Sequence, residues 1–256
     1  MRKALIDCLK QEKAKGAFVI RDLRTGETCS YKEKEVVPSA SLIKMFVMIR
    51  AFEQIKCGRV DLQTEIHVTP EDLVPFSVLT FLRPRAYQMK ELIDLMIVYS
   101  DNTATNVLID FLGMDRINDT IRALGYKASV LQRKMMDFEA AEKGKQNYTS
   151  AEEMSDLLQK MYENRLLGSF CDEKMLEIMK GQSDETMMRQ SLPDELTIAR
   201  KSGELERLDH DMAIVYTQKG DYIYVFFCWE AEDNNQAREI LAKTSKIVFD
   251  AFLKKN

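Results

Sequence analysis

The segments of this chain that read as strands lie at its two ends, and the long stretch between them reads as helix. Near the N-terminus, Ala17-Phe18-Val19-Ile20-Arg21-Asp22-Leu23 and Thr28-Cys29-Ser30-Tyr31 flank Arg24-Thr25-Gly26-Glu27, which is a hairpin signature. Toward the C-terminus, Leu196 to Lys201, Asp211 to Thr217 and Tyr222 to Trp229 are strand-like, the last two joined at Gln218-Lys219-Gly220-Asp221. Short hairpins are only marginally stable alone, so the two ends are expected to complete one sheet. From Pro38 to about Leu192 apolar residues recur at helical spacing, as in Leu42, Phe46, Ile49 and Leu92, Leu95, Met96, Tyr99. That stretch is therefore an insertion into the sheet. Residues 2 to 14 and Asn235 to Leu253 read as terminal helices, and Ser150-Ala151-Glu152-Glu153 as a capping box that starts another. The expected class is α+β: a mainly antiparallel sheet of about five strands flanked by the terminal helices, with an all-α part. The sheet-bearing part is assigned to residues 1–38 and 195–256 and the all-α part to 39–194, so that 1–256 forms a single unit.

Composition removes several function classes. With 45% hydrophobic and 30% charged residues the chain is an ordinary globular one. Its 37 basic and 41 acidic residues leave no positive excess for phosphates, so nucleic acid is not expected as a partner. The longest apolar run, Tyr222 to Trp229, is far short of the roughly 18 residues of a spanning helix, so no integral membrane contact is expected. Met1-Arg2-Lys3 begins as a secretory leader would, but Asp7 and Lys10 break the apolar stretch. The expected location is cytoplasmic as the sequence stands, or outside the cytoplasm if an export segment has been removed. Five scattered cysteines without a Cys-x-x-Cys pair indicate neither a disulfide framework nor a zinc site. The 15 methionines read as core fillers, and neither metal nor cofactor is implied.

Three short motifs carry the chemistry. Ser41-Leu42-Ile43-Lys44 opens a helix after Pro38-Ser39, placing serine and lysine on one face beside the free backbone N–H groups of the helix start. Taken alone it describes a capped helix with a solvated lysine. Ser100-Asp101-Asn102 follows the very apolar helix Leu92 to Tyr99 and must end it, as these side chains bond local backbone. Lys201-Ser202-Gly203 stands at the end of the strand Thr197-Ile198-Ala199-Arg200. Each is weak by itself; the three in this order are jointly specific. A serine hydroxyl needs a base to become a nucleophile, and a lysine serves if burial or a second cation, here Lys201, lowers its pKa. A cationic rim would favour an anionic substrate.

On these motifs, and on the context Tyr99-Ser100-Asp101-Asn102-Thr103-Ala104-Thr105-Asn106 and His210-Asp211-Met212-Ala213, the chain resembles the penicillin-recognising serine hydrolases, and among them the class A β-lactamases. The resemblance runs from about Gly16 to the last helix and implies a β-lactamase/transpeptidase-like fold. It implies that Ser41 is acylated, Lys44 helps remove its proton, and Ser100 relays a proton to the leaving nitrogen. Asn102 would hold the substrate's side-chain amide, and Lys201, Ser202 and Gly203 would form the subsite for its carboxylate. The backbone N–H groups of Ser41 and Glu204 would form the oxyanion hole. The partner implied is a small-molecule β-lactam or D-Ala-peptide-like substrate, and the protein is expected to be a monomer; the alternative function is that of a penicillin-binding, D-Ala-peptidase-like or esterase-like acyl-serine protein with slow deacylation.

The chain departs from that family on one loop. The Glu-x-x-Leu-Asn pattern that would activate the deacylating water is not found between Gln132 and Asn147, where Asp137 and Glu139 are the carboxylates considered for that role. The loop is also short for the family, and Pro75-Phe76-Ser77 is bulky enough to narrow the entrance. A Ser-His-Asp triad through His210-Asp211 is rejected, since adjacent strand residues face opposite sides.

Overall fold

The computed structural model describes residues 1–254. The helix α1 (Arg2–Gln11) leads into β1 (Lys15–Asp22) and β2 (Thr28–Tyr31), and the chain returns to the same sheet as β7 (Ile198–Leu205), β8 (Leu208–Val215) and β9 (Tyr222–Trp229) before α9 (Asn234–Leu253). The sheet is antiparallel throughout in the order β2-β1-β9-β8-β7, so β1 pairs with β9 and the two chain ends are joined, as the strand pattern requires. Every residue of β8 and β9 is buried, because helices cover both faces. One face carries Phe18, Ile20, Tyr224 and Phe226 against α1 and α9; the other carries Val19, Ile214, Val225 and Phe227 against the helical stretch.

That stretch is not all-α as expected from its spacing, because short extended segments between its helices pair with one another: β3 (Val37–Pro38) with β6 (Tyr148–Thr149) and β4 (Glu65–His67) with β5 (Ala86–Gln88). Its helices are α2 (Lys44–Lys56), α3 (Met89–Val98), α4 (Asn102–Leu112), α5 (Met114–Ala123), the short α6 (Phe138–Glu142), α7 (Ala151–Tyr162) and α8 (Ser169–Lys180). Met45 to Ile49 in α2 are all fully buried, so this helix is apolar all round and forms the centre of the helical part. Asp101 starts α4 by accepting from Ala104 N at 2.8 Å, and its second oxygen takes Leu79 N at 2.9 Å.

Four further details differ from the sequence reading. Ser41 lies in a 3₁₀ turn, Ala40–Ile43, that leads into α2. The β7 strand continues through Lys201-Ser202-Gly203 to Leu205, since Gly203 serves close packing and not a turn. The β8 strand begins three residues early, at Leu208. At α7, Ser150 Oγ accepts from Glu153 N, but the Glu153 carboxylate accepts instead from the N–H groups of Lys127, Ala128 and Ser129, three donors outweighing the single one of a capping box. Among the described residues no helix is long and apolar enough to cross a membrane.

Candidate active site

Between the sheet edge and the helices opens a cleft of about 650 Å³. Ser41, Ser100, Asn102, Ser202, Gly203 and Glu204 all line it, so the three motifs, distant in sequence, meet at one place. Five residues on its wall, Ala40, Phe76, Ser100, Met136 and Met187, hold positive φ without being glycine. Such conformations cost about 1–3 kcal/mol each and gather where the surrounding fold over-determines a functional geometry.

The two lysines lie under the cleft, both fully buried. Lys44 Nζ donates to Ser100 O at 2.5 Å, Ser100 Oγ at 3.2 Å and Asn102 Oδ1 at 2.9 Å. Lys201 Nζ donates to Ser100 Oγ at 3.0 Å and to Ser202 O at 2.8 Å. The Ser100 hydroxyl thus bridges the two amines. Burial, and then the charge of Lys201, lower the Lys44 pKa well below its ordinary value, against an opposing pull from Asp101. Burial and Arg200 lower Lys201 to about 7. Among the described residues Ser41 Oγ has no hydrogen-bond partner, which leaves it free to approach a substrate carbon.

Gly203 explains why the edge strand can reach the nucleophile. A Cβ there would stand 3.0 Å from Ser41 N, 3.1 Å from Ala40 Cβ and 3.3 Å from Leu42 N. Replacing Gly203 by alanine is therefore expected to push β7 away from the Ser41 turn and slow acylation about 10²-fold, the usual penalty for misplacing reacting groups by an ångström. Acylation rates of Gly203→Ala within a factor of about two of the parent would remove this close approach from the argument.

His210 takes no part as a base. It is fully buried, with Nδ1 at 2.9 Å from Asp209 O and Nε2 at 3.0 Å from Pro38 O, its ring stacked on Phe227, and burial lowers its pKa to about 4. Asp211 faces the other way and binds Arg200 Nε at 2.7 Å.

The loop carboxylates are not brought to the cleft. Asp137 caps the α6 helix by accepting from Ala140 N at 2.9 Å, and Glu139 pairs with Lys143 at an exposed site. In their place the loop presents Arg133, Met135, Met136, Phe138, Gln146 and Asn147. Met135 is held by Asn106, whose Oδ1 accepts from Met135 N at 2.8 Å and whose Nδ2 donates to Met135 O at 3.0 Å. In the sequence Asn106 stands out only as part of the context of Ser100-Asp101-Asn102, with no role assigned, although it lies four residues after Asn102 and so on the same face of α4. Asn147 closes the loop by accepting from the N–H groups of Gln132 and Arg133 at 2.7 and 3.0 Å.

The cationic rim expected from the motifs is also absent. Both motif lysines are buried beneath the cleft, and the charged residues lining it are Arg133 against Asp184, Glu204 and Glu206. Phe76, whose side chain is 80% exposed, does stand at the entrance, with its carbonyl accepting from Asn102 N at 3.4 Å.

The site thus joins a five-stranded antiparallel sheet, a serine on a short turn and a lysine pair bridged by a second serine. The chain belongs to the β-lactamase enzyme family, whose model, described as "Beta-lactamase enzyme family", matches residues 1–252. It is similar to the β-lactamase regulatory protein BlaB of Streptomyces cacaoi, 27% identical over 138 residues; the match spans 53% of this chain and 44% of that protein, less than half its length. An ancestral class A β-lactamase superposes with a TM-score of 0.90 over 98% of this chain and 99% of that one, at 21% identity, which shows the fold. The L158E mutant of PBP-A, solved as an acyl-enzyme complex with penicillin G, superposes with a TM-score of 0.90 over 99% of this chain and 96% of that one, at 25% identity.

Proposed function

We propose that this protein opens β-lactams through an acyl-enzyme on Ser41 and releases the product slowly. The observation that carries the reading is the buried Lys44–Ser100–Lys201 chain beneath an unpartnered Ser41 hydroxyl. Lys44, whose pKa is lowered by burial and by the second amine beside it, acts in its neutral form to take the Ser41 proton as Oγ attacks the lactam carbonyl. The N–H groups of Ser41 and Glu204 receive the developing oxyanion. Collapse breaks the C–N bond, and Ser100, which lies between the two amines, passes a proton to the leaving nitrogen. Asn102 orients the acyl arm with the Nδ2 hydrogen left over from its bond to Pro75 O. Ser202 and Gly203 on the cleft wall receive the substrate carboxylate, with the charge of Lys201 beneath them. Hydrolysis of the ester then needs a base for water, and the loop lines the cleft with Met135 and Met136 and with neither Asp137 nor Glu139. A stored acyl-enzyme is the consequence.

A chromogenic cephalosporin tests this. The expected trace is a colour burst close to one equivalent per chain, followed by a slow steady state. Absence of any burst together with fast steady colour would contradict slow release.

The two lysines also set the pH dependence, in opposite senses. The maximal acylation rate needs neutral Lys44, so it falls as pH drops through that lowered pKa and holds above it. Binding of an anionic substrate needs charged Lys201, so the pre-acylation complex weakens as pH rises through about 7. A maximal acylation rate that keeps climbing toward pH 10 would show that Lys44 titrates as an ordinary lysine.

A further inference from the structure

Glu204 follows Gly203 on β7, and its N–H is the second donor of the oxyanion hole proposed above; the inference here rests on that reading. Its side chain stands opposite Asp209 on β8. Directly opposed residues of an antiparallel pair point to one face with Cβ atoms about 5 Å apart, so two carboxylates are set side by side. Asp209 cannot turn to water, being fully buried. One of its oxygens accepts from Asn234 Nδ2 at 2.9 Å and the other, Oδ1, has no hydrogen-bond partner among the described residues. Burial pushes its pKa up to about 7, opposed by Asn234 and Arg238 and reinforced by Glu204.

Arg238, on α9, reaches both acids. Its Nη2 lies 2.6 Å from Glu204 Oε2, and its Nε lies 3.9 Å from Asp209 Oδ1. That Nε makes no hydrogen bond, so charge, more than hydrogen bonding, couples it to Asp209. One turn earlier on the same helix, Asn234 fixes the hairpin turn, donating to Leu205 O at 2.8 Å and accepting from Arg207 N at 3.1 Å. Because β7 is the edge strand, it has a sheet neighbour on one side only. No second strand backs β7 against the repulsion between Glu204 and Asp209.

We propose that Arg238 is a positioning residue for acylation: by bridging Glu204 on β7 to Asp209 on β8 it holds the Glu204 N–H in line with the Ser41 N–H. It acts through the strand and not on the substrate. Its loss leaves two acids facing each other beside the oxyanion hole and shifts the end of the edge strand at Glu204, while Asn102 on α4 and the Lys201–Ser202 part of β7 stay in place.

The test resolves acylation by a chromogenic cephalosporin into a pre-acylation constant and a maximal rate. Arg238→Ala is expected to lower the maximal rate about 10-fold or more while the pre-acylation constant stays within about two-fold. Asp209→Asn in the Arg238→Ala background removes the buried charge and is expected to recover most of that rate. Arg238→Lys, which keeps the charge, should lie between parent and alanine variant. An unchanged rate in Arg238→Ala, a loss confined to the pre-acylation constant, or a double variant as slow as the single would each overturn the proposal. If Arg238→Ala does not fold, the lysine variant and the double variant carry the same comparison. A wild-type protein that forms no acyl-enzyme at all would instead overturn the role of Ser41, a failure distinct from any of these.

Discussion

Replacing Ser41 by alanine is expected to abolish covalent labelling by a β-lactam. The hydroxyl makes no hydrogen bond, so its removal leaves no buried donor or acceptor unsatisfied, and folding stability should stay within about 1 kcal/mol of the parent. The lysine pair keeps its partners in the variant, because those are Ser100, Asn102 and Ser202. Loss of the adduct with an unchanged melting transition therefore isolates the chemistry from the fold. A variant that still gained one equivalent of label would move the nucleophile elsewhere, with Ser100 and Ser202 the other motif hydroxyls on the cleft wall.

The second large effect is a gain. Met135 lines the cleft with its backbone clamped on both sides by Asn106, so a new side chain there is held by an existing frame. Glutamate has nearly the length of methionine and puts a carboxylate where the loop now offers a thioether. Met135→Glu is expected to speed deacylation about 10²-fold, the lower range for a positioned general base, and to leave the acylation burst in place. Burying a carboxylate raises its pKa, which suits a base working near neutrality but costs stability, about 1–3 kcal/mol. Steady-state turnover equal to the parent's, in a folded variant, would show that the missing carboxylate is not what limits release. The same measurement on Asp137→Asn and Glu139→Gln should show no change, as one caps a helix and the other faces solvent.

How much of this was legible in the sequence depended on the range of the interactions involved. The Tyr222 to Trp229 strand was read to the residue, because a continuous apolar run between turn residues has few alternatives. The joining of the two chain ends followed from the instability of isolated hairpins, and the sheet pairs β1 with β9. Ser41, Lys44, Ser100, Asn102, Lys201 and Ser202 were named from local motifs and meet around one cleft. The failures were of another kind. A glycine after Lys201-Ser202 reads as a turn, and only the approach of Ser41 from far along the chain makes it a packing residue. The short loop offered two acids, but caps and exposed ion pairs claim Asp137 and Glu139 before the cleft can. The lysines read as a cationic rim until burial of both removes them from the surface. The Glu204–Arg238–Asp209 group joins two strands and a helix and leaves no trace in spacing.

The central claim is an acyl-enzyme on Ser41 that outlives its formation. Intact mass measured at intervals after mixing wild-type protein with a β-lactam, followed by peptide mapping, addresses it directly. The account predicts a single adduct of the whole β-lactam mass that persists for minutes and maps to the peptide carrying Ser41. Turnover faster than about 10 per second with no adduct at any time, or an adduct mapping to another residue, would contradict it.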